Sequence, residues 1–219
     1  MRLDIHVHSN LSDGTNTIKE IVEYAKKIGL NGISITDHNE ISGSLESLKY
    51  ESKNFKVIPG IEISAKEGHI LCHNVTDVPK NFIGITHEYE KHLAAKDVVQ
   101  IFHDLGAIVI AAHPYDLYRR GVGDLVYELD FDAIEVINGH TFADRKDPVK
   151  VAKELGLPMT GGSDAHCLKE IGNVTIELND DFSTSIKSNN IKINSVSRSS
   201  MFLNHVNNLF KRKILKKLI

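Results

Sequence analysis

Histidine and carboxylate residues cluster at the start of this 219-residue chain, where His6 and His8 are separated by one apolar residue. Alternate side chains share one face of a β-strand, so we expect His6 and His8 to point the same way, about 6 to 7 Å apart, with Ile5 and Val7 in the opposite layer. Two imidazoles at that spacing can hold one metal ion. Asp13 follows a short turn that can bring its carboxylate over the same strand end. The alternative is a pair of partly exposed strand histidines.

Apolar, β-branched segments that end in polar residues recur along the rest of the chain. The pattern predicts strands within residues 32–39, 55–64, 69–75, 107–114, 133–139 and 158–166. Helical patterns lie between them, from Thr15 or Thr17 to Gly29 and over residues 91–105 and 148–155. Strands that alternate with helices predict parallel β/α units. If the sheet closes into a barrel, the carboxyl ends of its strands meet at one mouth, and five polar residues fall at such ends: His38, Glu62, His113, Asp164 and His166.

The composition favours a reducing compartment. The two cysteines, Cys72 and Cys167, are too few for a disulfide framework and form no Cys-x-x-Cys pair. No apolar run approaches 18 residues, and Arg2 and Asp4 interrupt the apolar start. We therefore expect a cytoplasmic protein without a transmembrane segment.

Charge is distributed unevenly along the chain. No acidic residue follows Asp181, whereas eight Lys and Arg residues do, so a whole-chain net charge of −3 leaves the rest of the chain at −11. An acidic body argues against nonspecific nucleic-acid binding and suits a site that holds cations. Residues 200–219 have apolar side chains at roughly helical spacing, with Lys and Arg between them. Such a basic amphipathic helix can bind a membrane surface, nucleic acid or an acidic partner, although we favour a final helix packed on the acidic body, with nucleic acid next.

Taken in order, one set of motifs resembles the PHP (polymerase and histidinol phosphatase) family: His6-x-His8, Asp13, Asp37-His38, Glu62, His69, His113-Pro114 and Asp164-Ala165-His166. The resemblance covers roughly residues 1–178. It implies an α/β fold, a distorted (β/α)7 barrel of the PHP type, with the metal-dependent phosphoesterase domain at 1–182. Residues 183–219 would then form a basic C-terminal extension made of a linker, or irregular edge, and the amphipathic helix.

The same resemblance implies the metal ligands and their grouping. One ion would lie among His6, His8, Glu62 and Asp164. Glu62 would bridge to a second ion, held also by His69 and His113, and a third would bind Asp13, His38 and His166. Mixed imidazole and carboxylate ligands suit zinc, manganese or iron, so we expect two to three such divalent ions. Paired ions activate a shared water, and a bridging hydroxide would be the nucleophile at phosphorus.

Several assignments stay open from the sequence. His73 lies four residues from His69 in the same predicted strand, and either could be the ligand, although Gly68-His69-Ile70-Leu71 resembles the family motif. Arg119 or Arg120 could grip phosphate oxygens, with surface residues as the alternative. Asn138 could also contact substrate, or cap a loop. We expect packing or surface positions for His87, His92, His103 and His205, whereas His140 could reach the site.

These observations favour a metal-dependent hydrolase of phosphate esters that acts on a small phosphorylated metabolite or a nucleotide. A nuclease that cleaves phosphodiesters of DNA or RNA, with the basic tail gripping the substrate, is the first alternative. A noncatalytic RNA-binding subunit of an RNA-processing complex is the second. That last alternative predicts eroded metal ligands, whereas all nine positions are filled here.

Overall fold

The computed structural model describes residues 1–78 and 92–215, with side chains described up to residue 206. Within these residues the helices are α1 (Ile18–Lys27), α2 (Ser42–Ser47), α3 (Ala95–Asp104), α4 (Pro148–Leu155), α5 (Phe182–Lys187) and α6 (Arg198–Leu215). The strands are β1 (Arg2–Val7), β2 (Gly32–Ile35), β3 (Lys56–Val57), β4 (Gly60–Ser64), β5 (His69–His73), β6 (Ile108–Ala111), β7 (Ala133–Asn138), β8 (Met159–Gly162), β9 (Val174–Leu178) and β10 (Ile191–Ser195). The predicted His87 position lies outside the described residues.

The helix ends follow local signals in the sequence. Thr17 caps α1, since its hydroxyl accepts from the Glu20 amide while the Glu20 carboxylate accepts from the Thr17 amide. Asp147 caps α4, whose first residue is Pro148, and Gly156 ends that helix with a positive φ of 67°. Both helices therefore match the ranges predicted from their patterns.

Two five-stranded sheets make up the framework, in the orders β10-β9-β1-β2-β3 and β4-β5-β6-β7-β8. In the first sheet β1, β2 and β3 are parallel, while β9 and β10 are antiparallel to their neighbours. In the second sheet β6, β7 and β8 are parallel, whereas β5 runs antiparallel to both β4 and β6. The expectation of uniformly parallel β/α units is therefore wrong for β5, β9 and β10. For β5 the reason is the connection from β4, which has only four residues, too few for a parallel crossover.

A closed seven-stranded barrel is not found among the described residues. Within residues 1–78 and 92–215, two isolated parallel bridges join the sheets, Val7 to Ala165 and His38 to Glu62. The predicted strand over 55–64 is divided into β3 and β4, which belong to different sheets. The expected (β/α)7 barrel is corrected to a PHP-type α/β fold with two mixed sheets, joined beside residues of the candidate site.

An irregularity in β1 changes which layer its apolar residues enter. The pairing register with β2 shifts between Asp4 and Val7. Ile5 packs between the two sheets with Leu71 and Ile110, whereas Val7 packs on the other side with α1. The expectation that Ile5 and Val7 share a layer is therefore wrong, because the shift breaks the simple alternation of side chains.

The C-terminal part of the chain is more ordered than a linker. Residues expected to form a linker or irregular edge instead form α5 and β10, and β10 is the edge strand beside β9. The first turns of α6 pack on the body: Met201 is buried, and the Asn204 amide donates to the Lys169 carbonyl at 3.3 Å and to Asn173 Oδ1 at 3.2 Å. This packing agrees with a final helix docked on the body, while the basic residues beyond 206 lie outside the described side chains. No described helix is both long and apolar enough to cross a membrane.

Candidate metal centre

Glu62 on β4 lies at the centre of the candidate site, and its two oxygens face different imidazoles. Its Oε2 lies 3.2 Å from a ring nitrogen of each of His6, His8 and His38. Its Oε1 lies 3.2 Å from His69 Nδ1 and 3.4 Å from His113 Nε2. A carboxylate in this position can bridge two cations.

The position of His69 follows from the reversal of β5. Because β5 runs antiparallel to β4, its first residue, rather than its last, lies at the mouth, and Ser64 pairs with His69 there. His73 ends the same strand at the far side, where its Nδ1 lies 3.1 Å from Ser34 Oγ and its ring packs edge-on against Phe182. The geometry therefore favours His69 over His73 as the ligand.

Asp164 provides the second buried carboxylate. Its Oδ1 lies 3.1 Å from His8 Nε2 and 3.6 Å from His6 Nε2, while its Oδ2 accepts hydrogen bonds from the guanidinium of Arg119 and, at 3.1 Å, from the amide of Asn138. Asp164 follows β8 with a φ of 53°, in the left-handed region that Asp adopts more readily than most residues. The outer oxygen is thus occupied by donors, and the inner oxygen is turned toward the imidazoles.

A third group of side chains lies nearer the surface. His166 Nε2 hydrogen-bonds Asp13 Oδ2 at 3.0 Å, and Asp13 Oδ1 lies 3.8 Å from His8 Nδ1. His8, Asp13, His38 and His166 each offer a ligand atom within 4.8 Å of the others. The Asp13 side chain is 51% exposed, in contrast to the buried Asp164, so this group opens toward solvent.

Two supporting carboxylates were missed from the sequence. Glu135 on β7 accepts from His6 Nδ1 at 2.9 Å through one oxygen, and from the His113 amide at 2.9 Å through the other. Because a carboxylate can only accept, Nδ1 of His6 carries a proton, and the ring is held with Nε2 directed at Glu62. A buried acidic residue within an otherwise apolar strand, Ala133–Asn138, was the signal that could have identified it.

Asp37 is the other supporting carboxylate, and it holds the loop that carries Asp13. Its Oδ1 accepts from the Ser9 amide at 2.7 Å and the Ser12 hydroxyl at 2.6 Å, and its Oδ2 accepts from the Ser9 hydroxyl at 2.6 Å. The motif Asp37-His38 was noted from the sequence without a role for Asp37. The contacts give Asp37 a positioning role rather than a place among the converging ligands.

Burial and charge oppose each other in this site. Burial lowers the pKa of His8, but the neighbouring carboxylates of Asp164 and Glu62 raise it to about 10. Burial raises the pKa of Glu62, but the adjacent imidazoles, His38 and His6 first among them, hold it well below its usual range. Burial lowers the pKa of His38 to about 3. The buried carboxylates are therefore stable only with positive charge beside them, which either a proton on an imidazole or a metal ion can supply.

The nitrogen and oxygen atoms that converge in this site fit the ligands of a divalent metal ion. His8 Nε2 and His69 Nδ1 are buried and, within the described part of the chain, have no partner with hydrogen-bond geometry, although each lies within 3.3 Å of a carboxylate oxygen. Imidazole nitrogens that converge with carboxylate oxygens form the ligand set of zinc, manganese or iron sites.

The candidate substrate residues have several contacts within the protein. Arg119 donates to Asp164 and, through Nη2, to Asn138 Oδ1 and Thr141 Oγ1 at 2.8 Å each; its Nε donates to Asp116 at 3.1 Å. The Asn138 amide donates to Glu135 at 2.9 Å and to Asp164. Both side chains therefore position the ligand Asp164 in this structure.

The other candidates separate into two groups. The Arg120 guanidinium donates to the Lys66 carbonyl, away from Asp164, and His103 pairs with Asp132 at 3.0 Å. In contrast, His140 stacks on His166 with ring centroids 5.1 Å apart, as its position at a strand end suggested. His205, for which a packing or surface position was expected, contacts the His140 ring at 4.6 Å and so also lies beside the site.

Comparisons with known proteins give relatives of similar length. A protein of Methanocaldococcus jannaschii named as uncharacterized is 30% identical over 153 residues, which cover 64% of this chain and 83% of that protein. A protein of Caldicellulosiruptor saccharolyticus named as a probable phosphatase is 27% identical over 201 residues, covering 78% of this chain and 82% of that protein.

Solved structures show the same fold at lower identity. A two-domain protein of Bacteroides vulgatus, described as containing a "predicted PHP-like metal-dependent phosphoesterase", aligns with a TM-score of 0.69 and 19% identity, over 89% of this chain and 64% of that chain. A lesion-specific endonuclease of Pyrococcus furiosus aligns with a TM-score of 0.66 and 20% identity, over 90% of this chain and 60% of that chain.

The family models divide the chain into two matching stretches. The PHP domain model matches residues 4–127, which include seven of the nine candidate ligands, and the PHP-associated model matches residues 149–189, which include Asp164 and His166. From these matches and the order of its motifs, the chain belongs to the PHP family.

Proposed function

We propose that the protein is a metal-dependent hydrolase of phosphate esters that acts on a small phosphorylated metabolite or a nucleotide. Two or three divalent ions, zinc, manganese or iron, would be held by the nine side chains in the three groups expected from the sequence. Such ions lower the pKa of a shared water toward neutrality and hold the oxygens of an in-line displacement at phosphorus.

The observation that carries this proposal is the position of Glu62. One of its oxygens faces His6, His8 and His38, and the other faces His69 and His113. A single structural cation would need one such group of ligands, whereas two groups that share one carboxylate suit the adjacent ions of two-metal phosphoryl-transfer sites.

The remaining residues position these ligands. Glu135 orients His6, and Asp37 holds the loop of Asp13. Arg119 and Asn138 both donate to Asp164 Oδ2 and so turn Oδ1 toward the imidazoles. Because Asp164 already occupies its guanidinium, Arg119 would contact a bound phosphate only through N–H groups that Asp164 leaves free. Arg120 stays a candidate phosphate contact.

Elemental analysis of the purified protein, combined with a substrate panel, tests the proposal. We expect two to three metal equivalents per chain and turnover of at least one phosphomonoester or nucleotide. Asp164→Asn should lose metal and turnover together while remaining folded, and Asp130→Asn, at an exposed position, should change neither. Substoichiometric metal and no turnover, even after manganese or zinc is added, would refute the proposal.

A nuclease is the second candidate, because α6 begins beside the site and leads into the basic residues 211–217. The structural similarity to a lesion-specific endonuclease points the same way. Short DNA and RNA oligonucleotides in the same panel separate the two: cleavage that requires the basic residues, with no turnover of small esters, would favour the nuclease. Metal-free protein that binds RNA would instead favour the noncatalytic subunit.

A further inference from the structure

A second group of metal-ligating side chains lies beside the nine and shares none of them. This rim cluster consists of His140, Glu170 and His205. Glu170 Oε1 lies 3.2 Å from His140 Nε2 and 4.0 Å from His205 Nδ1, and the three ligand atoms lie within 4.8 Å of one another.

The buried carboxylate of Glu170 has one oxygen directed at the histidines. Its Oε2 accepts from the backbone amides of His166 and Cys167, at 2.8 and 3.1 Å. Its Oε1 faces the two imidazoles. The Glu170 side chain is fully buried and the His140 side chain is 8% exposed. Taking a carboxylate out of water at this depth is costly unless positive charge lies next to it.

The two ring nitrogens that face Glu170 lie near its carboxylate without hydrogen-bond geometry. His140 Nε2 and His205 Nδ1 are buried and make no hydrogen bond within residues 1–78 and 92–206. A histidine pair that only formed a hydrogen-bonded network would place its N–H groups on acceptors. Here lone-pair atoms converge on one point instead, as they do around a cation.

Three separate elements hold the rim cluster in place. The His140 amide donates to Asn138 Oδ1 at 2.8 Å, which fixes the loop after β7. Glu170 lies in the 3-10 turn that follows β8. His205 lies on α6, which the Asn204 contacts and an edge-on ring pair between Phe142 and Phe202, with centroids 5.6 Å apart, hold against the body. The three ligand atoms are therefore positioned before any ion binds.

We propose that His140, Glu170 and His205 form an additional zinc site at the rim of the metal centre. Zinc bonds of 2.0 to 2.2 Å in a tetrahedron place ligand atoms roughly 3.3 to 3.6 Å apart. The observed separations reach that spacing with a shift of about an ångström in the His205 side chain, the most exposed of the three. Two imidazoles and one carboxylate leave a fourth position for water or for an oxygen of a bound ligand.

A zinc ion in this site couples α6 to the metal centre. Two ligands come from the body and the third from α6, and the His140 ring stacks on His166 of the neighbouring group. The ion would fix the C-terminal helix at the mouth. This site does not depend on the phosphoesterase proposal, because it requires no turnover and none of the nine ligands.

Zinc stoichiometry of the full chain tests the site. Purified protein is stripped of metal, loaded with zinc, and analysed for zinc equivalents by competition with a chromogenic chelator. We expect His205→Ala and His140→Gln each to bind one equivalent fewer than the wild type. His103→Gln, which removes an imidazole on α3, should bind the wild-type number. Far-ultraviolet circular dichroism establishes that each variant is folded.

A second measurement uses the location of His205. Zinc should slow proteolytic cleavage of α6 at least severalfold in the wild type and in His103→Gln, but not in His205→Ala. Equal zinc equivalents in the wild type and His205→Ala would overturn the proposal. So would loss of an equivalent from His140→Gln alone, which would place that ion among His140, Asp164 and His166, where ligand atoms also converge.

Discussion

At the scale of single residues, the site depends on which atom of each side chain is left with a lone pair. His6 shows this clearly, since its Nδ1 donates to Glu135 and its Nε2 is thereby directed at Glu62. The sequence motif identified His6 but not Glu135, because a motif records ligands and not the partners that orient them. Glu135 is detectable only as a charged residue in a strand with apolar neighbours.

Replacing Glu135 by Gln should weaken metal binding without unfolding the protein. The amide keeps one acceptor oxygen, but its NH₂ group then faces either His6 Nδ1 or the donors of His113 and Asn138. We expect metal affinity to fall roughly 10- to 100-fold, as for other partners of metal-bound histidines. Competition titration with a metallochromic chelator measures this, with Glu177→Gln on β9 as the control. Unchanged affinity in Glu135→Gln would remove Glu135 from the support of His6.

His73 makes a prediction about pH and stability, because burial lowers its pKa to about 3. Below pH 6.5 the His73 imidazole is protonated in the unfolded chain but stays neutral in the folded protein. The free energy of unfolding therefore falls as the pH decreases from 6.5 toward 3. The loss is about 1.4 kcal/mol per pH unit. His73→Asn keeps an acceptor for Ser34 and removes this loss.

Urea unfolding of metal-stripped wild type and His73→Asn, at pH 7 and pH 5, measures the effect. The wild type should be the more stable protein at pH 7, because the Asn side chain leaves space beside Phe182. Its advantage should be about 2 kcal/mol smaller at pH 5. An advantage that does not change with pH would show that His73 accepts a proton in the folded protein.

At the scale of elements, the sequence predicted those parts that depend on local chemistry. Thr17 caps α1 and α4 spans residues 148–155 as expected, and His38 and His113 follow strands at the mouth. The reversal of β5 was missed because periodicity within a strand carries no information on its direction. The connection of residues 65–68, too short for a parallel crossover, was the signal that could have shown it. The strand β10 was missed although Ile191-Lys192-Ile193-Asn194 alternates apolar and polar side chains, because the Ser, Asn and Lys residues around it are typical of a loop.

The loop from His8 to Gly14 is the element whose position depends most on one side chain. Asp37 accepts three hydrogen bonds from Ser9 and Ser12, and the Ser9 groups are buried. We expect Asp37→Ala to lower the free energy of unfolding by about 2 to 3 kcal/mol, because the Ser9 amide loses a charged acceptor. The displaced loop should also carry Asp13 away from His166 and weaken one metal equivalent roughly tenfold.

Denaturant unfolding and metal competition, run on the same preparations, separate these two effects for Asp37→Ala. Asp130→Ala removes an exposed carboxylate of the same type and should change neither quantity. If Asp37→Ala is destabilised but binds every metal equivalent with wild-type affinity, the loop does not set the position of Asp13. The third group would then form without it.

At the scale of the whole molecule, the candidate metal centre lies where the two sheets meet. His6, His8 and His38 come from the first sheet and its loops, whereas Glu62, His69, His113 and Asp164 come from the second. The two bridges between the sheets, Val7 to Ala165 and His38 to Glu62, involve or adjoin these ligands. Ions bound here would join sheets that the described backbone hydrogen bonds connect only at these two points.

Metal removal should therefore destabilise the whole fold and not only abolish turnover. At a free metal concentration of 100 times Kd, one ion stabilises the folded state by about 2.7 kcal/mol. For a chain of this size each kcal/mol shifts Tm by about 2 to 4 °C, so a chelator should lower Tm by roughly 5 to 10 °C per ion removed. Differential scanning calorimetry of chelated and manganese-loaded protein measures the shift. Asp164→Asn should show a smaller shift than the wild type by about one ion's contribution, since it lacks the carboxylate that faces His6 and His8. The contrary outcome is a wild-type Tm that stays constant while elemental analysis shows that the metal has left. In that case side-chain packing already holds the sheets together, through Leu3, Ile5, Leu71 and Ile110, and the ions serve chemistry alone.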